Sequence, residues 1–145
     1  MKVVLQRVSE ASVTVGGEIT GSIGKGYVVL LGIGEGDTKG QVDKMVEKIR
    51  KLRIFSDEND KINLSIEDIN GEILVISQFT LYADCRKGNR PSFTAAGSPN
   101  LAEELYNNFI EISQGKFKKV GHGIFGAHMH VSLTNDGPFT VILEL

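Results

Sequence analysis

Ser77, Gln78, Phe79 and Thr80 stand together as "SQFT" at the end of the apolar run "EILVI", and they form the most suggestive polar cluster in the sequence. Two hydroxyls, a carboxamide and the segment's backbone N–H groups make a donor set that carries no charge. Donors of that kind, held where a buried strand meets a loop, suit an oxyanion hole for acyl transfer. On composition alone, a polar strand end that satisfies its own hydrogen bonds explains the same residues. Thr80 also offers a hydroxyl nucleophile, but no histidine, lysine or carboxylate in the segment stands ready as its base.

Other residues could do chemistry in principle. His128 and His130 share one face of a predicted strand, a possible pair of metal ligands, yet nothing in the spacing points to a third ligand. Histidines at the core edge or facing solvent account for them, and no metal is expected. Cys85 lies beside Arg86 and Lys87, which favours a thiolate, but no base is near in sequence, so a passive loop cysteine is expected. The surrounding stretch, "RKGNRPSF", supplies Arg86, Lys87 and Arg90 for phosphates or a nucleic-acid backbone; a solvated turn explains it about as well. "KFKK" at 116–119 is a weaker basic patch. "GIGEGD" at 32–37 lies between a strand and a helix, but Asp37 replaces the last glycine of a dinucleotide fingerprint and would repel a pyrophosphate. A plain strand-to-helix turn is expected there.

These residues need a frame. "KVVLQRV" and "ASVTV" read as strands at 2–8 and 11–15, with Gly16-Gly17 as a tight turn into "EITGSI". "GYVVLLGIG" at 26–34 is continuously apolar, as for a strand buried on both faces. Val42, Met45, Val46, Ile49 and Leu52 recur at helical spacing behind an N-cap at Asp37 or Thr38. "RIF" suggests a strand, and "EILVISQFTL" at 72–81 another. A second helix starts at Ser98-Pro99, turns Leu101, Leu105, Phe109 and Ile112 inward and ends at Gly115. "AHMHVSL" at 127–133 alternates, with Ala127, Met129, Val131 and Leu133 on one face. "FTVILEL" closes the chain. The order β-β-β-α-β-β-α-β-β predicts mostly antiparallel sheet covered by two helices.

The chain has 145 residues, one cysteine and a formal net charge of −2. One domain spanning 1–145 is expected, large enough to bury a core without disulfides. A single cysteine fits a reducing cytosol, so a cytoplasmic location is expected. No apolar run reaches the roughly 18 residues of a membrane span. The charge argues against bulk nucleic-acid coating, though it allows local docking on one phosphate-rich element.

One segment resists this description. In "TNDGPFTVILEL" Pro138 falls where a strand should already be pairing, and proline has no N–H for a ladder. "SQFTLYADCRKGNRPSF" together with "TNDGPFT" resembles the two signatures of the D-aminoacyl-tRNA deacylases, and the resemblance runs from "VLQRVSEASVTV" to "VILEL". It implies a three-layer (α/β/β) domain of barrel-like, mostly antiparallel sheets with two covering helices. It implies a cytoplasmic homodimer, without cofactor, that hydrolyses the ester of D-aminoacyl-tRNA and also glycyl-tRNA(Ala). Ser77, Gln78, Phe79 and Thr80 would form the catalytic segment. Gly137 and Pro138, joined by a cis peptide, would reach into the partner subunit's site and exclude an L side chain, a specificity built on a clash.

Two mechanisms stay open. In the first, Thr80 is the nucleophile; in the second, which is preferred, the 2′-hydroxyl of the terminal ribose assists attack while the protein supplies positioning and oxyanion donors. Arg7, whose fork can bond two carbonyls, is a candidate orienter of the Gly-Pro turn, and Met129 a second supporting residue. The rival from another class is a non-catalytic binder of the tRNA acceptor end. Turnover under excess substrate separates it from an enzyme.

Overall fold

Alternation in the first fifteen residues builds one long strand rather than two. In the computed structural model, which describes residues 1–145, β1 runs Lys2–Val15. Its early apolar residues, Val3 and Leu5, belong to a core of 21 buried residues under the helices. Its later ones, Val8, Ala11 and Val13, belong to a second core of seven on the opposite side. The strand thus passes from one layer to the next, and the parity of its inward residues shifts at Val8, where its ladder with the closing strand is irregular on both sides.

Gly16 and Gly17, both at positive φ (58° and 84°), turn the chain into β2 (Glu18–Ile23). β3 (Gly26–Gly32) follows, and its unbroken apolar run is buried on both faces: Tyr27, Val29 and Leu31 toward the helices, Val28 toward the second core. α1 (Lys39–Lys51) buries Val42, Met45, Val46 and Ile49. Its N-cap is Thr38, whose N–H donates to Gln41 Oε1 at 2.8 Å, the return half of a capping box. Asp37 has another task. Nearly buried, its carboxylate accepts from the Met1 amino group and from the Gly34 N–H, both at 2.7 Å. It pins the strand-to-helix turn that a dinucleotide loop would have needed open.

β4 (Arg53–Ser56) and β5 (Ile62–Ser65), the latter not expected, form a separate antiparallel pair. β6 (Glu72–Ser77), α2 (Pro99–Gln114), the short β7 (Val120–His122) and β8 (His130–Glu144) complete the chain. β1 pairs antiparallel with β2, β3 and β8, but β3–β6 and β6–β7 are parallel. The cause lies in the connections, since each parallel pair is joined through a helix that carries the chain back across the sheet. β2 comes up against β7 and almost closes a barrel. A Cβ on Gly21 would fall 2.8 Å from the His122 backbone, so this closure needs glycine. The result is a mixed α/β fold of barrel-like sheet with two covering helices.

Glu72 ties the start of β6 to the β2–β3 turn. Its Oε2 accepts from the Gly24 N–H at 2.8 Å, and Lys118 Nζ lies 3.4 Å from Oε1. The Gly24 N–H and then Lys118 hold its carboxyl below the usual range against the opposing effect of burial. A carboxylate depressed by folding adds stability above its unfolded pKa of about 4.3 and loses it as pH falls through the lower folded value. Thermal unfolding followed from pH 7 to pH 2 should therefore show a Tm that declines below about pH 4.3. Glu72→Gln should lower the Tm at pH 7 by about 3 °C, the worth of about 1 kcal/mol of charge-assisted bonding, and flatten the acid decline. Parallel curves for the two proteins would contradict this.

Candidate active site

β3 and β6 run parallel, so their carboxyl ends finish side by side, where open α/β sheets usually bind ligands. A cavity of about 520 Å³ opens there, within the size range of small-molecule sites. Leu31 and Ile33 come from the end of β3 and Ser77 from the end of β6. The first turns of α2 contribute Pro99, Ala102 and Tyr106, and the segment before β8 contributes Phe125 and Met129. The structure thus brings Ser77, Gln78, Phe79 and Met129 to one cavity.

The expected strand over 72–81 stops at Ser77. Gln78 N–H donates to Leu31 C=O at 2.8 Å, and residues Phe79–Tyr82 then curl into a single 3₁₀ turn. The first bond of that turn runs from Leu81 N–H to Gln78 C=O, at 3.2 Å. The N–H groups of Phe79 and Thr80 come before it and have no partner inside the turn, as at any helix start. Phe79 lines the cavity and Thr80 follows it, so two adjacent free donors start at its edge, a set suited to a developing oxyanion. The Thr80 side chain is exposed and does not line the cavity; the Gln78 carboxamide donates to its hydroxyl. No histidine, lysine or carboxylate is bonded to it.

Tyr106 is the only titratable side chain in the cavity wall. Its buried hydroxyl donates to Val75 C=O at 3.0 Å, and burial pushes it up to about 12. At neutral pH it is a fixed strut rather than a base. Its ring meets that of Phe125 with centroids 5.8 Å apart. Sequence reasoning missed Tyr106 and Ala102 because it placed the apolar face of α2 slightly off, and Phe125 because it lies between predicted elements. Leu101 and Ile112 are only half-buried, and the buried stripe is Ala102, Leu105, Tyr106, Phe109 and Ile110. A tyrosine one turn after an alanine in that stripe was the available signal for a wall with room beside it.

Gly137 and Pro138 lie elsewhere. The chain does not reverse at Asn-Asp-Gly: β8 is continuous and pairs with β1 on both sides of the motif. Thr140 pairs with Gln6 and Asn135 with Val8, so residues 136–139 bulge out, and Pro138 sits where no ladder bond is required. The Gly137-Pro138 peptide is cis, and Gly137 has φ +129°. Asn135 staples the bulge, its Oδ1 accepting from Phe139 N–H at 3.0 Å and its amide donating to Gln6 at 2.7 Å. Arg7 braces it from below. Nε donates to Asp136 C=O at 3.0 Å, Nη1 to Ile54 C=O at 2.7 Å, and the guanidinium lies 4.7 Å over the Phe139 ring.

In the basic loop, Arg86 is turned back on its own chain and grips Asp84 with Nε and Nη2 at 2.9 and 2.7 Å. Lys87 and Arg90 are exposed and form no ion pair. Cys85 is exposed. The alternation at 127–131 is as expected, though β8 starts only at His130 and Leu133 is exposed. His128 and His130 meet edge to face with centroids 5.0 Å apart, with no third ligand-type side chain grouped with them. No helix is long and apolar enough to cross a membrane.

Known proteins resemble this chain along its length. A profile of the family described as D-Tyr-tRNA(Tyr) deacylase matches residues 4–144. The D-aminoacyl-tRNA deacylase of Clostridioides difficile (strain 630) is 55% identical over 144 residues, 99% of this chain and 97% of that protein. That of Lactobacillus gasseri is 52% identical over 145 residues, 100% of both chains. A solved structure described as a c-Myc DNA unwinding element binding protein superposes with a TM-score of 0.94 at 47% identity, covering 100% of this chain and 99% of its own. Another, described as a probable eukaryotic D-amino acid tRNA deacylase, superposes at 0.86 with 18% identity over 99% and 98%, a likeness of fold alone. With a match from residue 4 to residue 144 and relatives identical at more than half of all positions, this chain belongs to the D-Tyr-tRNA(Tyr) deacylase family.

Proposed function

We propose that this chain hydrolyses the ester of D-aminoacyl-tRNA, and of glycyl-tRNA(Ala), using the 2′-hydroxyl of the terminal ribose in place of a protein base. The observation that carries this reading is a cavity with free backbone donors at its rim and no side chain able to act as a base at neutral pH. The apolar walls, with Phe125, Tyr106 and Met129, suit an unstacked terminal adenine, which RNA-binding proteins commonly hold on aromatic surfaces. With the base seated there, the ester lies near the 3₁₀ turn. The Phe79 and Thr80 N–H groups then receive the negative charge that builds on the carbonyl oxygen, and the adjacent 2′-hydroxyl assists the attack of water. Thr80 as nucleophile lacks support, since its hydroxyl is bonded only to a carboxamide.

Chirality is assigned to Gly137 and Pro138 of a second copy. Asn135, where the bulge leaves the ladder, already lies six positions beyond Met129, roughly 20 Å at about 3.3 Å per residue, so the turn does not reach its own cavity. A partner's turn can enter. Backbone atoms held by Arg7 and Asn135 cannot swing aside as a side chain does, so an L substituent meets a fixed wall, while a D side chain or glycine's hydrogen passes.

Turnover of D-tyrosyl-tRNA and L-tyrosyl-tRNA under excess substrate tests the reading. Multiple-turnover loss of the D-ester alone is expected, whereas protection at stoichiometric ratio would mean a binder. D-tyrosyl-tRNA ending in 2′-deoxyadenosine, charged on its 3′-hydroxyl, should react at least about 10²-fold more slowly, the scale of a lost proton-transfer partner. Unimpaired turnover of it would end the RNA-assisted mechanism.

A further inference from the structure

The aromatic rim of the cavity is larger than the chemistry needs. Phe79 is 57% exposed although it follows a buried strand, and Phe93 stands edge-on to it with centroids 5.1 Å apart. Phe93 is half-buried, so the exposed face of the pair belongs mainly to Phe79, and an exposed ring beside a site suits a partner. Above them rises the loop 84–92. Its root is closed by two backbone bonds between Asp84 and Ser92, at 2.7 and 3.0 Å, and the segment after Phe93 is pinned to the end of β3 through Gly97 N–H to Ile33 C=O at 2.9 Å. The loop is therefore fixed to the frame that shapes the cavity. Arg86 is neutralised by Asp84, while Lys87 and Arg90 stay exposed and unpaired on a chain whose net charge is −2.

We infer that this rim binds the unpaired nucleotides that precede the terminal adenosine: Phe79 and Phe93 stack a base, and Lys87 and Arg90 take the phosphates behind it. The inference rests on the deacylase reading and extends it from the reacting nucleotide to the strand that carries it. Aromatic side chains hold single-stranded bases by stacking, worth about 1–3 kcal/mol per base and tolerant of sequence. A loop tip about four residues from its root reaches at most about 13 Å, the span of three or four stacked nucleotides at about 3.4 Å each. Arg86, by closing on Asp84, stiffens the loop instead of touching RNA. A wide basic surface for duplex is not required, and the net charge does not provide one.

The test compares kcat/KM on D-aminoacyl-tRNA and on D-aminoacyl-adenosine, across a salt series, for the parent, Lys87→Ser/Arg90→Ser and Phe93→Leu. The parent's rate on tRNA should fall with salt, and the double variant's log–log slope should be shallower by about 1.4, two single-strand phosphates at about 0.7 each. Each variant should lose at least about tenfold more on tRNA than on the nucleoside ester, and lose it in KM. Equal losses on both substrates would make the loop a structural brace. An unchanged salt slope would mean that Lys87 and Arg90 touch no phosphate. Either result overturns the inference. If the parent turned over neither ester, the deacylase reading itself would fail, and the variants would not be needed to show it.

Discussion

Replacing the Thr80 peptide N–H by an ester oxygen should lower kcat on a D-aminoacyl-tRNA by about 10²–10³-fold, the usual cost of one lost oxyanion donor. Thr80→Ala, which removes the side chain and keeps the N–H, should stay within about tenfold. The two changes separate the possible roles of one residue. Thr80 N–H precedes the first bond of the 3₁₀ turn, so its removal takes no hydrogen bond from that turn. The Thr80 hydroxyl accepts from Gln78 at an exposed site, and losing such a bond costs about 1 kcal/mol. If instead Thr80→Ala fell to the uncatalysed rate while the ester variant worked, the covalent mechanism would return. The ester is installed as the α-hydroxy acid by nonsense suppression, with Tm recorded to show that the fold survives.

This asymmetry also explains how far the site could be read from sequence. "SQFT" was legible as a polar cluster at a strand end because an apolar run stops there. That its chemistry lies in backbone N–H groups was not, since every residue has one and only the turn decides which are free. The donors depend on β6 ending at Ser77, whereas the expected strand ran through Leu81. Nothing local marks that end. It is set by the Gln78 bond to Leu31, a residue 47 positions earlier.

The sheet shows the same limit. Strands long enough to show a clear pattern, such as the unbroken apolar run of β3, were placed well. β7 has three residues, and its position follows from closure against β2, where Gly21 admits the His122 backbone. Parallel pairing of β3, β6 and β7 could have been drawn from the helices between them, because a strand–helix–strand connection within one sheet favours it. Reading 127–133 and 139–145 as separate strands failed for a different reason. Asn-Asp-Gly is strong turn chemistry, but here the chain uses it to leave the ladder for four residues and rejoin the same neighbour.

That excursion carries the second large effect. Gly137→Ala should lower the ratio of D to L kcat/KM by about 10²-fold, because a shift of about 1 Å in a positioned group can cost that much. Gly137 has φ +129°, where L residues are strained, and its added Cβ would lie 3.0 Å from Arg7 Nη2 and 3.2 Å from Phe139 N. Usually the far end of an arginine gives way. Here it cannot do so freely, because Nε and Nη1 are held by Asp136 and Ile54 carbonyls and the guanidinium lies over Phe139. The displacement therefore falls on the turn, and the wall that meets an L substituent moves. Arg7→Lys should shift the ratio the same way, since an ammonium cannot bridge two carbonyls in a fixed fork. Activity on the D-ester should fall less, because the cavity and the 3₁₀ turn lie outside the bulge. The measurement is kcat/KM on both enantiomers alongside Tm. A Gly137→Ala protein that melts like the parent and still rejects the L-ester as strongly would take this turn out of the site and leave Arg7 as a brace for β8 alone.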